Sequence, residues 1–146
     1  MIRFSRREDY AIVIVGALTE AYKRRLIPLS EIAKEYKISS LFLRNLAYEL
    51  RDAGVIRAVE GRSGGYYLAK DPHEIRMGEI LSIFSKKQHL ICCPANVDHN
   101  FKRICPKEKY CVAGNVWREL NKEFMDKIYS LSLKAFIEYK PIKRKN

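Results

Sequence analysis

Apolar residues recur at helical spacing in five places along the chain, interrupted once by a pair of short β segments. Tyr10, Val13, Ile14, Ala17, Leu18 and Ala21 predict a helix over residues 9–22. Pro28 suits the opening turn of a second, short helix with Ile32, Ala33 and Tyr36 on one face. Ser39 is a good N-cap for a third helix, whose buried stripe is Leu43, Leu46, Ala47 and Leu50. Gly54 ends it, because glycine takes a left-handed cap without cost. Residues 55–59 and 66–69 read as strands around the glycine-rich tip Glu60-Gly61-Arg62-Ser63-Gly64-Gly65. Asp71-Pro72-His73 is a turn, and 77–84 is a short helix with Ile80, Leu81 and Phe84 inward. No period is visible over 86–111, a long loop of the kind that is either functional or disordered. Helical spacing then returns over 112–139, with Val116, Leu120, Phe124, Ile128 or Leu131, and Ala135 as its stripe.

Two short helices, a capped third helix and a β-hairpin make a winged helix–turn–helix. The fold class is therefore mainly α with a small β-hairpin wing: a winged helix–turn–helix head plus a long C-terminal dimerisation helix. In such a head the third helix enters the major groove of DNA. The predicted organisation is a head over 1–76, a short helix and cysteine-bearing loop over 77–111, and a long helix with a basic tail over 112–146. A 28-residue helix is roughly 40 Å long. A head this small cannot cover its apolar stripe, so a partner helix from a second copy, in a homodimer, is the economical solution.

Composition narrows the class. The 146 residues are 47% hydrophobic, ordinary for a globular protein, and no apolar run is long enough to cross a membrane. The apolar stretch over 10–18 is too short to span and lacks a small-residue cleavage site, so neither a signal peptide nor a membrane partner is expected. A cytoplasmic, reducing location is expected, where clustered thiols bind metal or do redox chemistry more often than they form structural disulfides. The formal net charge of +11 favours a polyanionic partner such as nucleic acid. That charge is spread, with 14 basic and 10 acidic side chains over 1–76 and 14 and 7 over 77–146.

All four cysteines, Cys92, Cys93, Cys105 and Cys111, fall within 20 residues, between the head and the long helix. Iron–sulfur clusters need thiolate ligands, since soft sulfur donors match the iron. Three thiolates with His99 or His89 could instead bind tetrahedral zinc. Cys-Pro dipeptides can also supply haem thiolates, and Cys92 or Cys93 with Cys105 could form a redox disulfide. No close Cys-x-x-Cys pair and no nucleophile–base–orienter set is present, so an enzyme is not expected.

Three sequence features together resemble the Rrf-type bacterial transcription regulators, the superfamily that includes IscR, NsrR and CymR. They are Leu50-Arg51-Asp52-Ala53-Gly54-Val55-Ile56, Gly64-Gly65-Tyr66-Tyr67-Leu68-Ala69, and Cys111 followed six residues later by Trp117. The resemblance covers nearly the whole chain. It implies a winged head on a long dimerisation helix, binding a pseudo-palindromic double-stranded DNA operator as a repressor. It also implies an iron–sulfur cluster in the loop before that helix. Cys105 and Cys111 match the spacing of the family's second and third ligands, and Cys93, or alternatively Cys92, would be the first. Eleven residues separate Cys93 from Cys105, a longer spacing than the family's, which a looped-out 96–103 would accommodate.

IscR-like members carry a histidine ligand three residues after the third cysteine, where this chain has Gly114. NsrR-like members use an acidic residue near the N-terminus of the second subunit, and Asp9 matches that position. The resemblance thus implies three thiolates from one copy and the Asp9 carboxylate from the other, favouring [4Fe–4S] over [2Fe–2S]. Such a site would sense redox state, nitric oxide or iron–sulfur status. A cluster-free member, regulated by thiol oxidation, zinc, a metabolite or a partner protein, is the alternative. For DNA, the matching positions are Ser39, Ser40, Leu41 and Arg44 on the third helix and Arg62 at the wing tip, with Arg51 and Arg57 as backbone contacts. Arg44 can pair bidentately with guanine, and Arg62 can enter a narrow minor groove.

Overall fold

The structure, a computed structural model, describes residues 5–84 and 110–139. Its elements in chain order are α1 (Arg6–Glu20), α2 (Leu29–Tyr36), α3 (Ser40–Asp52), β1 (Ile56–Val59), β2 (Gly65–Leu68), α4 (Met77–Phe84), α5 (Val112–Ser130) and α6 (Leu133–Ile137). β1 and β2 pair antiparallel, with Ile56 opposite Leu68 and Val59 opposite Gly65.

The helix starts follow local chemistry. α1 begins three residues before the predicted start because Ser5-Arg6-Arg7-Glu8 is a capping box, in which the Ser5 N–H donates to the Glu8 carboxylate. Pro28 is the N-cap of α2 and Ser39 that of α3, as the residue pattern predicts. Gly54 adopts the left-handed conformation, φ +74°, behind α3. The Asp71 carboxylate accepts from the His73 N–H at 2.9 Å and closes the turn leading to α4.

Leu43, Leu46, Ala47 and Leu50 of α3 are each at most 1% exposed and meet Ala11, Ile14, Val15 and Leu18 of α1 in one buried cluster. The same cluster takes in Met77, Ile80 and Leu81 of α4 and Leu133 of α6. Phe84 is half-buried and packs against this cluster, whereas Tyr36, on the same helical face as Ile32 and Ala33, is exposed. The wing is anchored by a bridge that the residue pattern does not announce. Ile27 and Tyr66 exchange backbone hydrogen bonds of 3.1 and 2.8 Å, and a Cβ at Gly65 would stand 2.9 Å from the Ile27 backbone. Glycine is required there by close approach of a strand-like neighbour.

The expected single helix over 112–139 is two. Leu131 is extended (ψ 137°), and the Ser132 hydroxyl caps α6 by accepting from the Ala135 N–H at 3.1 Å. The break is fastened to the turn before α4. The Met77 N–H donates to the Leu131 carbonyl and the Leu133 N–H to the Ile75 carbonyl, each at 2.8 Å, and Arg76 Nη1 reaches the Ser130 carbonyl at 3.0 Å. A continuous helix would carry Leu131, Leu133 and Phe136 past the head, whereas the break lets them pack onto it. Ala135, expected in the apolar stripe, is exposed. The helix that leaves the head is therefore α5 alone, 19 residues and about 28 Å long.

Candidate nucleic-acid interface and cysteine-bearing junction

α3 has one face sealed into the core and one face open. On the open face Ser39, Ser40, Leu41 and Arg44 are exposed, with Leu41 66% exposed, far too much for a leucine with a packing role. Ser39 is the N-cap but makes no capping hydrogen bond through its side chain, so its hydroxyl is not committed to the helix. Arg51, near the other end of α3, is exposed and lies over the Tyr48 ring, 5.5 Å from its centroid. Arg57 is exposed on β1 opposite Tyr67, and Arg62 is exposed in the turn between the strands. That turn is held by Gly61 at φ +115° and by the Gly64 N–H donating to the Gly61 carbonyl at 3.0 Å. Among the described residues, no ion pair engages Arg44, Arg57 or Arg62.

Two residues on the same open face escaped the sequence reading. Asn45 and Tyr48 follow Leu41 at helical spacing, and both are exposed. Their signal was available: with Leu43, Leu46, Ala47 and Leu50 inward, positions 41, 44, 45 and 48 must point away from the core.

Of the candidate metal ligands, Cys92, Cys93 and Cys105 lie outside the described residues, as do His89 and His99. Cys111 is the N-cap of α5, and its Sγ accepts a hydrogen bond from the Gly114 N–H at 3.2 Å. A Cβ at Gly114 would stand 3.1 Å from that sulfur, so glycine leaves the thiol uncrowded. Asp9 is exposed in the first turn of α1. Among the described residues of this one chain, no three histidine, cysteine or acidic side chains come together as a metal site. None of the described helices is long and apolar enough to cross a membrane.

α5 carries an apolar stripe that nothing in the described structure covers. Val116, Trp117, Leu120 and Phe124 are 53, 52, 46 and 41% exposed. Ile128 and Tyr129, at its other end, pack on the head, and a Cβ at Gly78 of α4 would stand 2.8 Å from Tyr129 Cδ1.

A helix–turn–helix whose second helix is open along one face, followed by a two-stranded wing, defines a winged-helix DNA-binding protein. The chain belongs to the Rrf2 family, described as "Iron-dependent Transcriptional regulator", which it matches over residues 4–139. It is 29% identical over 134 residues to the "Putative HTH-type transcriptional regulator" of Aquifex aeolicus, covering 92% of this chain and 90% of that one. It is 24% identical over 132 residues to the HTH-type transcriptional regulator IscR of Vibrio campbellii, covering 90% and 75%. Its fold matches that of CymR, the global cysteine regulator of B. subtilis, with a TM-score of 0.73 at 20% identity over 97% of this chain and 100% of that one. Members of this family are DNA-binding transcription regulators rather than enzymes, and this chain is a transcription regulator of that kind.

Proposed function

We propose that this protein acts as a homodimeric repressor on a pseudo-palindromic operator, and that a cysteine-ligated iron–sulfur cluster beside α5 sets its operator affinity. The observation that carries the reading is the place of Cys111. It starts the helix whose far end is fastened to the DNA-binding head, so a change at its sulfur acts at one end of a rigid lever.

The residues present fit the cluster. Cys111, Cys105 and Cys93 (or Cys92) would supply the thiolates from one copy, and Asp9 the fourth ligand from the second copy. The N–H···S bond from Gly114 is the kind of contact that tunes a ligating thiolate. Gly114 stands where IscR-like members carry histidine, and a side chain there would press on the sulfur. An oxygen ligand at Asp9 favours [4Fe–4S]. Bound, the cluster would supply redox and ligand-exchange chemistry responsive to oxygen, nitric oxide or iron supply. The rest of the work belongs to the chain. The Met77–Leu131 and Leu133–Ile75 bonds hold α5 to the head, so a shift at Cys111 alters the separation of the two recognition helices. Half-site spacing is geometric, and small shifts in it change affinity.

The homodimer rests on the uncovered stripe Val116, Leu120 and Phe124. The operator would be read by Ser39, Ser40, Leu41 and Arg44 from α3 and by Arg62 from the wing, with Arg51 and Arg57 on the backbone. Arg44→Ala should cost about 1–3 kcal/mol in operator affinity and relax one base position, read by competition against singly substituted duplexes.

Anaerobic purification with a visible spectrum and iron and sulfide counts tests the cofactor. The expected result is a brown protein with matching iron and sulfide, lost in Cys111→Ala and destabilised in Asp9→Ala. A colourless protein after anaerobic reconstitution would sink the cluster. Zinc recovered at one per chain would reassign the thiolates to that metal.

A further inference from the structure

We infer that a groove between the first turn of α1 and the α2–α3 turn holds the DNA backbone, with Arg6 and Lys37 as its phosphate-binding side chains. The inference rests on the DNA-binding reading above and adds to it a phosphate contact at the edge of the base-reading face. The groove is about 460 Å³ and is lined by Arg6, Tyr10, Lys37, Ser39, Phe42 and Asn45 among others. Its floor is fixed by the Tyr10 and Phe42 rings, packed edge-on with centroids 5.6 Å apart at 88°. Leu41 also lines it, so the groove is continuous with the open face of α3.

The local fold does not favour the charge of Arg6 or the backbone conformation of Lys37. Arg6 is the first residue of α1, where the helix dipole favours anions. Its neighbour Arg7 is accounted for by an ion pair in which its Nη2 donates to both Glu49 carboxylate oxygens at 2.6 Å, whereas Arg6 forms no ion pair among the described residues. Lys37 closes α2 in the left-handed conformation, φ 54°, where glycine or asparagine is the usual choice. It too is exposed and without an ion pair among the described residues. None of the residues that line this groove is acidic.

The contrast with the groove between the end of α1 and the length of α2 shows that this is not a by-product of a basic chain. That second groove, about 390 Å³, is lined by Glu20, Glu31 and Glu35 as well as Arg24 and Arg25. There Arg25 donates to Glu31 at 2.6 and 2.9 Å, and this hydrogen bonding holds the Glu31 carboxyl below its usual range. One groove is internally neutralised, and the other keeps its cations at the edge of the recognition helix. Cations without an ion pair among the described residues, above the packed Tyr10 and Phe42 rings, with the Ser39 hydroxyl (which makes no capping bond) and the Asn45 amide beside them, match a strand of phosphates.

A phosphate contact has a signature that base reading lacks. It weakens binding alike on all sequences and lowers the salt dependence of the affinity. The test uses the full-length protein, a duplex selected from a random-sequence pool, and a scrambled duplex of the same composition. Affinities are measured across a salt series for wild type, Arg6→Gln and Lys37→Asn. Asparagine tolerates the left-handed backbone, and glutamine removes a cation from a helix start, so neither substitution is expected to lower Tm. Each should weaken both duplexes about 3–10-fold and flatten the slope of log K against log salt by about 0.9 for every copy bound. Arg6→Lys and Lys37→Arg should keep the wild-type slope. An unchanged slope in both neutral variants, with wild type binding normally, would overturn the groove alone. A loss confined to the selected duplex would overturn it too, by making these residues base readers. Wild type that binds neither duplex would overturn the DNA-binding reading together with the groove.

Discussion

The head and the outer half of α5 treat the same residue types in opposite ways. In the head, Leu43, Leu46, Leu50 and Ile14 are at most 1% exposed, and the α1, α3 and α4 stripes satisfy one another. On α5, Val116, Leu120 and Phe124 repeat at equally regular spacing and are 41–53% exposed. Amphipathic spacing therefore says that a face will be covered, and says nothing about what covers it. Where α5 nears the head, Ile128, Tyr129 and Leu131 find partners within their own chain. Further out the chain has nothing more among its described residues to offer, and the proposed second copy would cover that face.

The largest effect should come from breaking the outer half. Phe124→Asp is expected to turn a dimer into a monomer of 17.1 kDa by light scattering, with operator affinity reduced about 10²–10⁴-fold as two linked half-sites become one. The head should keep its helical circular dichroism. If it unfolds with the dimer, the head is not self-sufficient and the contrast fails. Leu43→Ala attacks the other side of the comparison. A fully buried leucine replaced by alanine should cost about 2–5 kcal/mol in urea unfolding, while the oligomeric mass stays the same below the transition.

Gly78→Ala probes the seam between the two regions. The added Cβ meets the Tyr129 ring at 2.8 Å and the Tyr129 carbonyl at 3.1 Å, so α4 and α5 must part, at about 1–3 kcal/mol. Tyr129→Ala in the same chain relieves the ring but not the carbonyl, so only partial recovery is expected in a double-mutant cycle. The smallest effect should come from Glu49→Gln. The Arg7–Glu49 pair is short, but its side chains are 48 and 32% exposed, so its loss should cost only about 0.2–1 kcal/mol by the same unfolding assay. A cost as large as that of Leu43→Ala would mean that surface ties, not the core, hold the head.

Much of this arrangement could be read before any coordinates. Ser39 as N-cap, the stripe over Leu43, Leu46, Ala47 and Leu50, the left-handed Gly54 and the helix over 77–84 are all set by neighbours in sequence, and the structure has them there. The start of α1 was equally legible in Ser5 and Glu8, whose capping box outranks the apolar period that places the start at residue 9. Tyr36 shows the limit of periodicity, since a residue on the right helical face remains exposed when no neighbour reaches it.

The candidate site divides along the same line. That Arg44 and Arg62 are exposed follows from the inward stripe and the glycine-rich turn. Arg6 and Lys37 lie 31 positions apart in the chain, and only the packing of α1 against the α2–α3 turn makes them neighbours of one groove. Likewise the break at Leu131 and Ser132 is nearly silent in the sequence. Helical spacing continues through it, and the interruption wins because Ile75 and Met77 offer backbone partners that only the folded head brings within reach.

The sequence by itself determined the helices of the head, their caps and the hairpin of the wing, though not its anchor at Ile27, because those depend on contacts a few residues long. Tertiary structure decided where the long helix stops, which cations share a groove and which apolar face the described chain leaves uncovered. Those outcomes depend on surfaces from distant parts of the chain meeting, and no local pattern encodes that meeting.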